Sequence, residues 1–145
     1  MKIEQSTTAS CRPEHVWQVF TDAASWRGWN PMLANAQWVS GEPWQPGSEL
    51  LLEGNQPSFK LKAKVKEAVA PNHIQWTGGA MGVSVVHTFY FLAQPDGSTM
   101  IKTLVELSGA ALFFVNEEMK KKGVGMLTAW LESLKTESER ISSSQ

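Results

Sequence analysis

Four side chains in this sequence are natural starting points for nucleophilic, acid–base or metal chemistry: Cys11, His15, His73 and His87. They fall in separate segments without the close spacing that metal ligation needs, so no metal site is expected. Gly123-Val124-Gly125 lacks the third glycine and the preceding strand of a dinucleotide fingerprint. Gly82-Val83-Ser84 lacks the glycine that would complete a nucleophile elbow. There is no phosphate loop, and no cofactor is implied.

His87 stands out through its neighbours. It alternates with Phe89 and Phe91, so all three are expected on the inward face of one strand. An inward imidazole can donate, accept or transfer a proton, which makes His87 the candidate catalytic residue. The same pattern fits a buried histidine held by a neighbouring hydroxyl or backbone group. Thr103 is the second inward polar residue and can bond to His87 itself. Trp76 can line a cavity or simply fill a core. Asn30 precedes Pro31 and suits a turn. Tyr90 has the opposite parity to His87 and is expected to face out.

The composition restricts what such residues can serve. At 145 residues, the chain has the size of one domain, 1–145, with a full core. Its 42% hydrophobic and 19% charged content is globular. A formal net charge of -1 offers no electrostatic reason to bind nucleic acid. The apolar run Ala110 to Val115 is too short to span a bilayer, so no integral membrane association is expected. No signal-like segment opens the sequence, and one cysteine fits a reducing compartment; the expected location is cytoplasmic. Seven tryptophans against one tyrosine supply bulky rings for a core or for an aromatic-lined pocket.

The elements that must position these side chains follow from periodicity. Lys2 to Ala9 reads as a strand. Pro13-Glu14 opens a helix with Val16, Val19 and Phe20 on one face. Asp22 is placed to cap a second short helix, Ala23 to Trp29. Strands are expected over 34–40, 48–53, 59–70, 73–77, 83–93 and 99–108. Phe59, Leu61, Ala63 and Val65 alternate with Lys60, Lys62, Lys64 and Lys66, as on a half-buried antiparallel strand with a solvated outer face. Gly78-Gly79 should end the strand from His73. Pro95-Asp96-Gly97 marks a hairpin. From about Asn116 the period becomes helical through Met119, Leu127, Trp130, Leu134 and Ile141, with residues 142–145 frayed. Gly123 and Gly125 in that helix suggest close packing on the sheet, a kink, or room for a bound group. The result is an α+β fold in which a long C-terminal helix covers the sheet.

Several segments in this order resemble the helix-grip superfamily of START lipid-transfer domains, Bet v 1 allergens and the polyketide cyclase/dehydrase group. They are Pro13-Glu14-His15-Val16-Trp17, Trp26-Arg27-Gly28-Trp29-Asn30-Pro31, His73-Ile74-Gln75-Trp76, His87-Thr88-Phe89, Asp96-Gly97-Ser98-Thr99 and Leu107-Ser108-Gly109. Arg12 departs from the small polar cap usual before the proline. The resemblance implies a seven-stranded curved antiparallel sheet gripping the C-terminal helix, with two short helices after the first strand and a cavity between sheet and helix. It does not imply one reaction, since members include lipid and hormone binders, cyclases, aromatases and chaperone activators. The leading expectation is binding of a small, mostly apolar lipid-, sterol- or polyketide-like molecule. A cyclase/dehydrase-type enzyme using His87 for proton transfer and a protein-interaction module are the alternatives. The expected ligand-binding residues are Leu61, Trp76, His87, Phe89, Phe91, Thr103, Val105, Phe113, Leu127 and Trp130. Phe59, Val65, Ile74 and Leu134 complete the expected wall, and Leu112, Phe113 and Phe114 its mouth. No oligomeric state follows from the sequence.

Overall fold

The computed structural model describes residues 1–55, 58–80 and 82–144. The elements run β1 (Lys2–Ala9), α1 (Pro13–Thr21), a 3-10 turn (Ala23–Ser25), α2 (Trp26–Trp29), β2 (Leu33–Ser40), β3 (Glu49–Asn55), β4 (Ser58–Val69), β5 (His73–Ala80), β6 (Val83–Ala93), β7 (Thr99–Ser108), a second 3-10 turn (Ala110–Phe114) and α3 (Glu117–Ser143). Among the described residues seven strands form one antiparallel sheet in the order β1-β7-β6-β5-β4-β3-β2. The expected α+β architecture is therefore present.

Alternation sets which face each strand buries. On β7, Thr99, Ile101, Thr103 and Val105 are buried while the residues between them are partly exposed. On β4, Ala63 and Val65 are buried and Lys60, Lys62, Lys64 and Lys66 are exposed. A bulge between Val65 and Glu67 then moves the inward parity to Ala68. The lysines are registered against acids on β3, Lys64 opposite Glu49 and Lys60 opposite Glu53, as a solvated outer face requires.

Local expectations fail in two places, at Gly78-Gly79 and at Asp22. The glycines Gly78 and Gly79 do not end β5; the strand continues to Ala80. A Cβ on Gly78 would lie 2.8 Å from Leu61 Cδ1, so this glycine lets a neighbouring strand's side chain cross the backbone. Asp22 makes no side-chain cap; its carbonyl instead accepts from the Ser25 amide at 3.0 Å and hydroxyl at 2.7 Å. Arg12, in line with its departure from a small polar cap, supplies no side-chain cap to α1, which relies on its first-turn proline and Glu14. At the other end of the chain, α3 extends to Ser143 and the Ser144 hydroxyl donates to the Ile141 carbonyl at 3.0 Å; Gln145, the last residue of the tail expected to fray, lies outside the described residues. Asn116 does cap α3, its Oδ1 accepting from the Met119 amide at 2.9 Å.

One end of the space between sheet and helix is solid. α1 and α2 carry Phe20 and Trp26 into it, where Phe20 meets Phe89 at 4.7 Å, Trp26 at 5.1 Å and Phe91 at 5.4 Å between ring centroids. Trp44 closes this cluster, and its Nε1 donates to the Thr21 carbonyl at 2.7 Å. Most of the tryptophan excess is thus used in aromatic packing.

Candidate functional site

The helix does not cover the sheet evenly. α3 packs against β1, β7, α1 and α2, so it leans toward one edge. The β3–β4 arm curls over from the other side. Between them lies a cavity of about 300 Å³, within the usual range for small-molecule sites. Leu52, Phe59 and Leu61 form its arm side, Ile3, Val105 and Leu107 its opposite side, and Met126, Leu127 and Trp130 its helical roof. Trp76 and His87 complete the sheet wall. Met1 and Met119 also line it and are themselves exposed, which places the mouth at the start of α3.

Six of the ten expected binding residues converge here: Leu61, Trp76, His87, Val105, Leu127 and Trp130. Four do not reach the wall. Phe89 and Phe91 are buried in the aromatic cluster. Thr103 is fully buried behind His87. Phe113 is 78% exposed and stacks on Phe114 at 4.2 Å. The turn at Gly109, with φ 118°, directs the 3-10 segment outward, and Val115 and Met119 line the cavity in its place. Of the other expected wall residues, Phe59 lines the cavity, whereas Val65, Ile74 and Leu134 are buried beyond it. Strand parity chooses a face but not a position along the strand, and α1 with α2 fills the part of that face nearest Phe91.

Sequence reasoning missed the methionines. Met1, Met32, Met119 and Met126 all border the cavity. Their flexible, polarizable side chains suit an adaptable apolar wall, and their number was a usable signal. The glycines of α3 are not closely packed. A Cβ on Gly123, itself part of the wall, would touch only Ile3 at 3.9 Å, and one on Gly125 would meet open space. Asn30 is a turn former, accepting from the Met32 amide at 3.2 Å.

His87 is the polar centre of the wall. Its Nε2 lies 2.7 Å from Thr103 Oγ1. The contact ties the Thr103 hydroxyl to the ring, with donor and acceptor set by the imidazole tautomer. Burial pushes the His87 pKa down to about 3, which keeps the ring neutral. Trp76 approaches it edge-on at 5.1 Å and Trp130 at 6.0 Å. Both indole N–H groups are buried without an acceptor among the described residues. An unpaired buried donor costs about 1–3 kcal/mol. The described residues contain no cluster of His, Cys, Asp or Glu able to hold a metal, and no described helix is long and apolar enough to cross a membrane.

Known structures share this architecture. A hypothetical protein from Helicobacter pylori superposes with a TM-score of 0.81 at 17% identity, over 95% of this chain and 88% of that one. Ara h 8.0201 gives 0.78 at 13% identity, over 95% and 97%. A START superfamily protein from Mycobacterium smegmatis gives 0.72 at 15% identity, over 99% and 97%. The di-domain ARO/CYC BexL from the BE-7585A biosynthetic pathway gives 0.72 at 11% identity, over all of this chain and 50% of that one. At these identities the likeness is one of fold, that of the helix-grip superfamily. No curated protein matches the sequence. The family model for polyketide cyclase/dehydrase and lipid transport matches residues 1–139, and the chain belongs to that family.

Proposed function

We propose that the protein binds a small, mostly apolar molecule between α3 and the sheet. The observation that carries this reading is the cavity itself: about 300 Å³ walled by aliphatic, methionine and aromatic side chains, beside a core packed solid with rings. Burying about 200 Å² of ligand surface would supply about 5 kcal/mol before the costs of association. A lipid-, sterol- or polyketide-like compound has the required chemistry, and the family description supports the same range. The single cysteine, Cys11, is buried as a free thiol, which fits a reducing cytoplasm.

The cyclase/dehydrase reading draws on the family description and needs His87 to exchange a proton. Its Nε2 is already hydrogen-bonded to Thr103, and burial disfavours the imidazolium, so binding is better supported than acid–base catalysis.

Intrinsic fluorescence tests the binding reading, because Trp76 and Trp130 stand in the wall. Titration with a panel of fatty acids, sterols and fused-ring aromatics should give saturable changes with at least one class. Gly123→Leu, which adds a side chain beside Ile3 at the wall, should weaken that binding about tenfold or more while the protein still melts cooperatively. Flat titrations across the panel would overturn the proposal.

A further inference from the structure

The large apolar side chains left in solvent gather at one end of the molecule. Phe113 and Phe114 are the most exposed of them and directly precede Val115, which lines the cavity; Met119 and Met1 are exposed at its mouth. Among the described residues the other two, Val39 and Val69, lie on separate strands. The two phenyl rings are presented by anchored backbone. The Ala111 amide donates to the Gly82 carbonyl at 3.3 Å, and Gly109 passes so close to that carbonyl that a Cβ there would lie 2.3 Å from its oxygen. Three lysines, Lys120, Lys121 and Lys122, follow Asn116 within about two turns of helix. Lys122 pairs with Glu118 at 3.8 Å, and Glu117 stands in the first turn against the positive end of α3. Lys120 and Lys121 have no acidic partner among the described residues, and Lys120 is on the cavity rim.

We infer that this end docks on an anionic phospholipid bilayer. Phe113 and Phe114 insert among the acyl chains, Lys120 and Lys121 meet the headgroups, and the apolar ligand enters the cavity from the lipid. This rests on the cavity being a binding site. Exposed aromatic rings next to free lysines are the pairing that an anionic bilayer surface accepts, the rings by burial and the cations by attraction. Lysine at the rim can keep its charge in the headgroup layer while its stem lies along apolar surface. A ligand with an apolar body is itself concentrated in lipid, so a mouth opening there spares it a passage through water. A second copy of the chain fits less well. At about 200 Å² per phenylalanine the two rings expose about 300 Å², whereas a stable protein interface buries about 800 Å² on each partner. A two-fold contact through this patch would also bring its lysines toward their own copies.

The test is co-sedimentation with two kinds of vesicle, phosphatidylcholine alone and an equimolar mixture of phosphatidylcholine and phosphatidylglycerol. The protein should bind the mixed vesicles at least tenfold more tightly, and added salt should weaken that binding. Phe113→Ser/Phe114→Ser should lower it at least tenfold, whereas Phe113→Leu/Phe114→Leu should keep it within threefold. Lys120→Gln/Lys121→Gln should cut the preference for mixed vesicles below threefold. In vesicle-free buffer the serine variant should bind an apolar panel compound within threefold of the wild type and melt no lower, because neither ring lines the cavity. Binding to neither vesicle, or equal binding by the serine variant, would overturn the docking while leaving the cavity reading intact. Equal binding to the two vesicles would overturn the headgroup assignment. A dimer in solution that the serine variant dissolves would assign the patch to a second copy and overturn the proposal, as would loss of cooperative melting in that variant. Vesicle binding by protein that takes no panel compound would remove the cavity reading and the entry route with it.

Discussion

His87 is the residue on which chemistry and stability meet. Its unfolded pKa is near 6.5, whereas burial lowers the folded value to about 3. Between these values the unfolded chain binds a proton that the native ring refuses. Stability conferred by the neutral ring is therefore complete above pH 6.5 and declines as the pH falls toward 3, at about 1.4 kcal/mol per pH unit. Hydrogen bonds from Arg140 to Glu137, and from Lys135 and the Ser10 amide to Glu139, hold both carboxyls below their ordinary value, so they add their own acid loss only at lower pH. Urea unfolding between pH 6.5 and 5 isolates the histidine. The wild type should lose stability across that window, and His87→Gln should remove most of the slope. An unchanged slope would show that His87 protonates freely in the folded protein.

At the scale of elements, α3 is built from two unlike segments. From Leu127 onward it buries Leu127, Trp130, Leu131, Leu134 and Ser138, the first two also roofing the cavity, and is clasped to β1 and the chain after it, where Glu132 accepts from Thr7 Oγ1 at 3.0 Å and Glu139 from the Ser10 amide at 2.7 Å. Its N-terminal half carries Gly123 and Gly125 and faces the cavity with Met119, Gly123 and Met126. Gly125 is exposed, and a Cβ there meets nothing. Gly125→Ala should therefore raise unfolding free energy by about 0.5–1 kcal/mol through helix propensity alone, measurable by urea denaturation. A destabilised variant would mean that this turn of helix needs glycine's backbone freedom. The sequence offered close packing as one reason for these glycines; the single 3.9 Å contact at Gly123 and the open space at Gly125 remove it.

For the whole molecule, the division is between a solid end and a hollow one. The aromatic cluster around Phe20 ties α1 and α2 to β6, while the cavity separates the β3–β4 arm from the N-terminal half of α3. Local opening should follow that division, with the hollow end opening at lower free energy. Amide exchange with and without a bound apolar compound should show added protection in β3, β4 and residues 110–126, and little change in α1 and β6. Uniform protection would instead indicate that ligand stabilises only global folding. The exposed pair Phe113 and Phe114 beside the mouth falls within the responding region, although neither ring lines the cavity.

Periodicity and turn chemistry along the chain determined the strands, the faces they bury and the inward direction of His87, because a pleated strand alternates and an amphipathic helix repeats regardless of its neighbours. The hairpin at Asp96-Gly97 was legible for the same local reason: Gly97 takes φ 89° and Asp96 Oδ1 accepts from the Ser98 amide at 3.0 Å. Tertiary packing decided where along those faces space remains. Phe89, Phe91 and His87 share one parity, yet α1 delivers Phe20 against the first two and leaves the third beside the cavity. No periodicity contains that choice. It depends on where a separate helix docks, on the lean of α3 toward β1, and on which buried donors find acceptors in the fold; those are properties of elements brought together, not of any one segment.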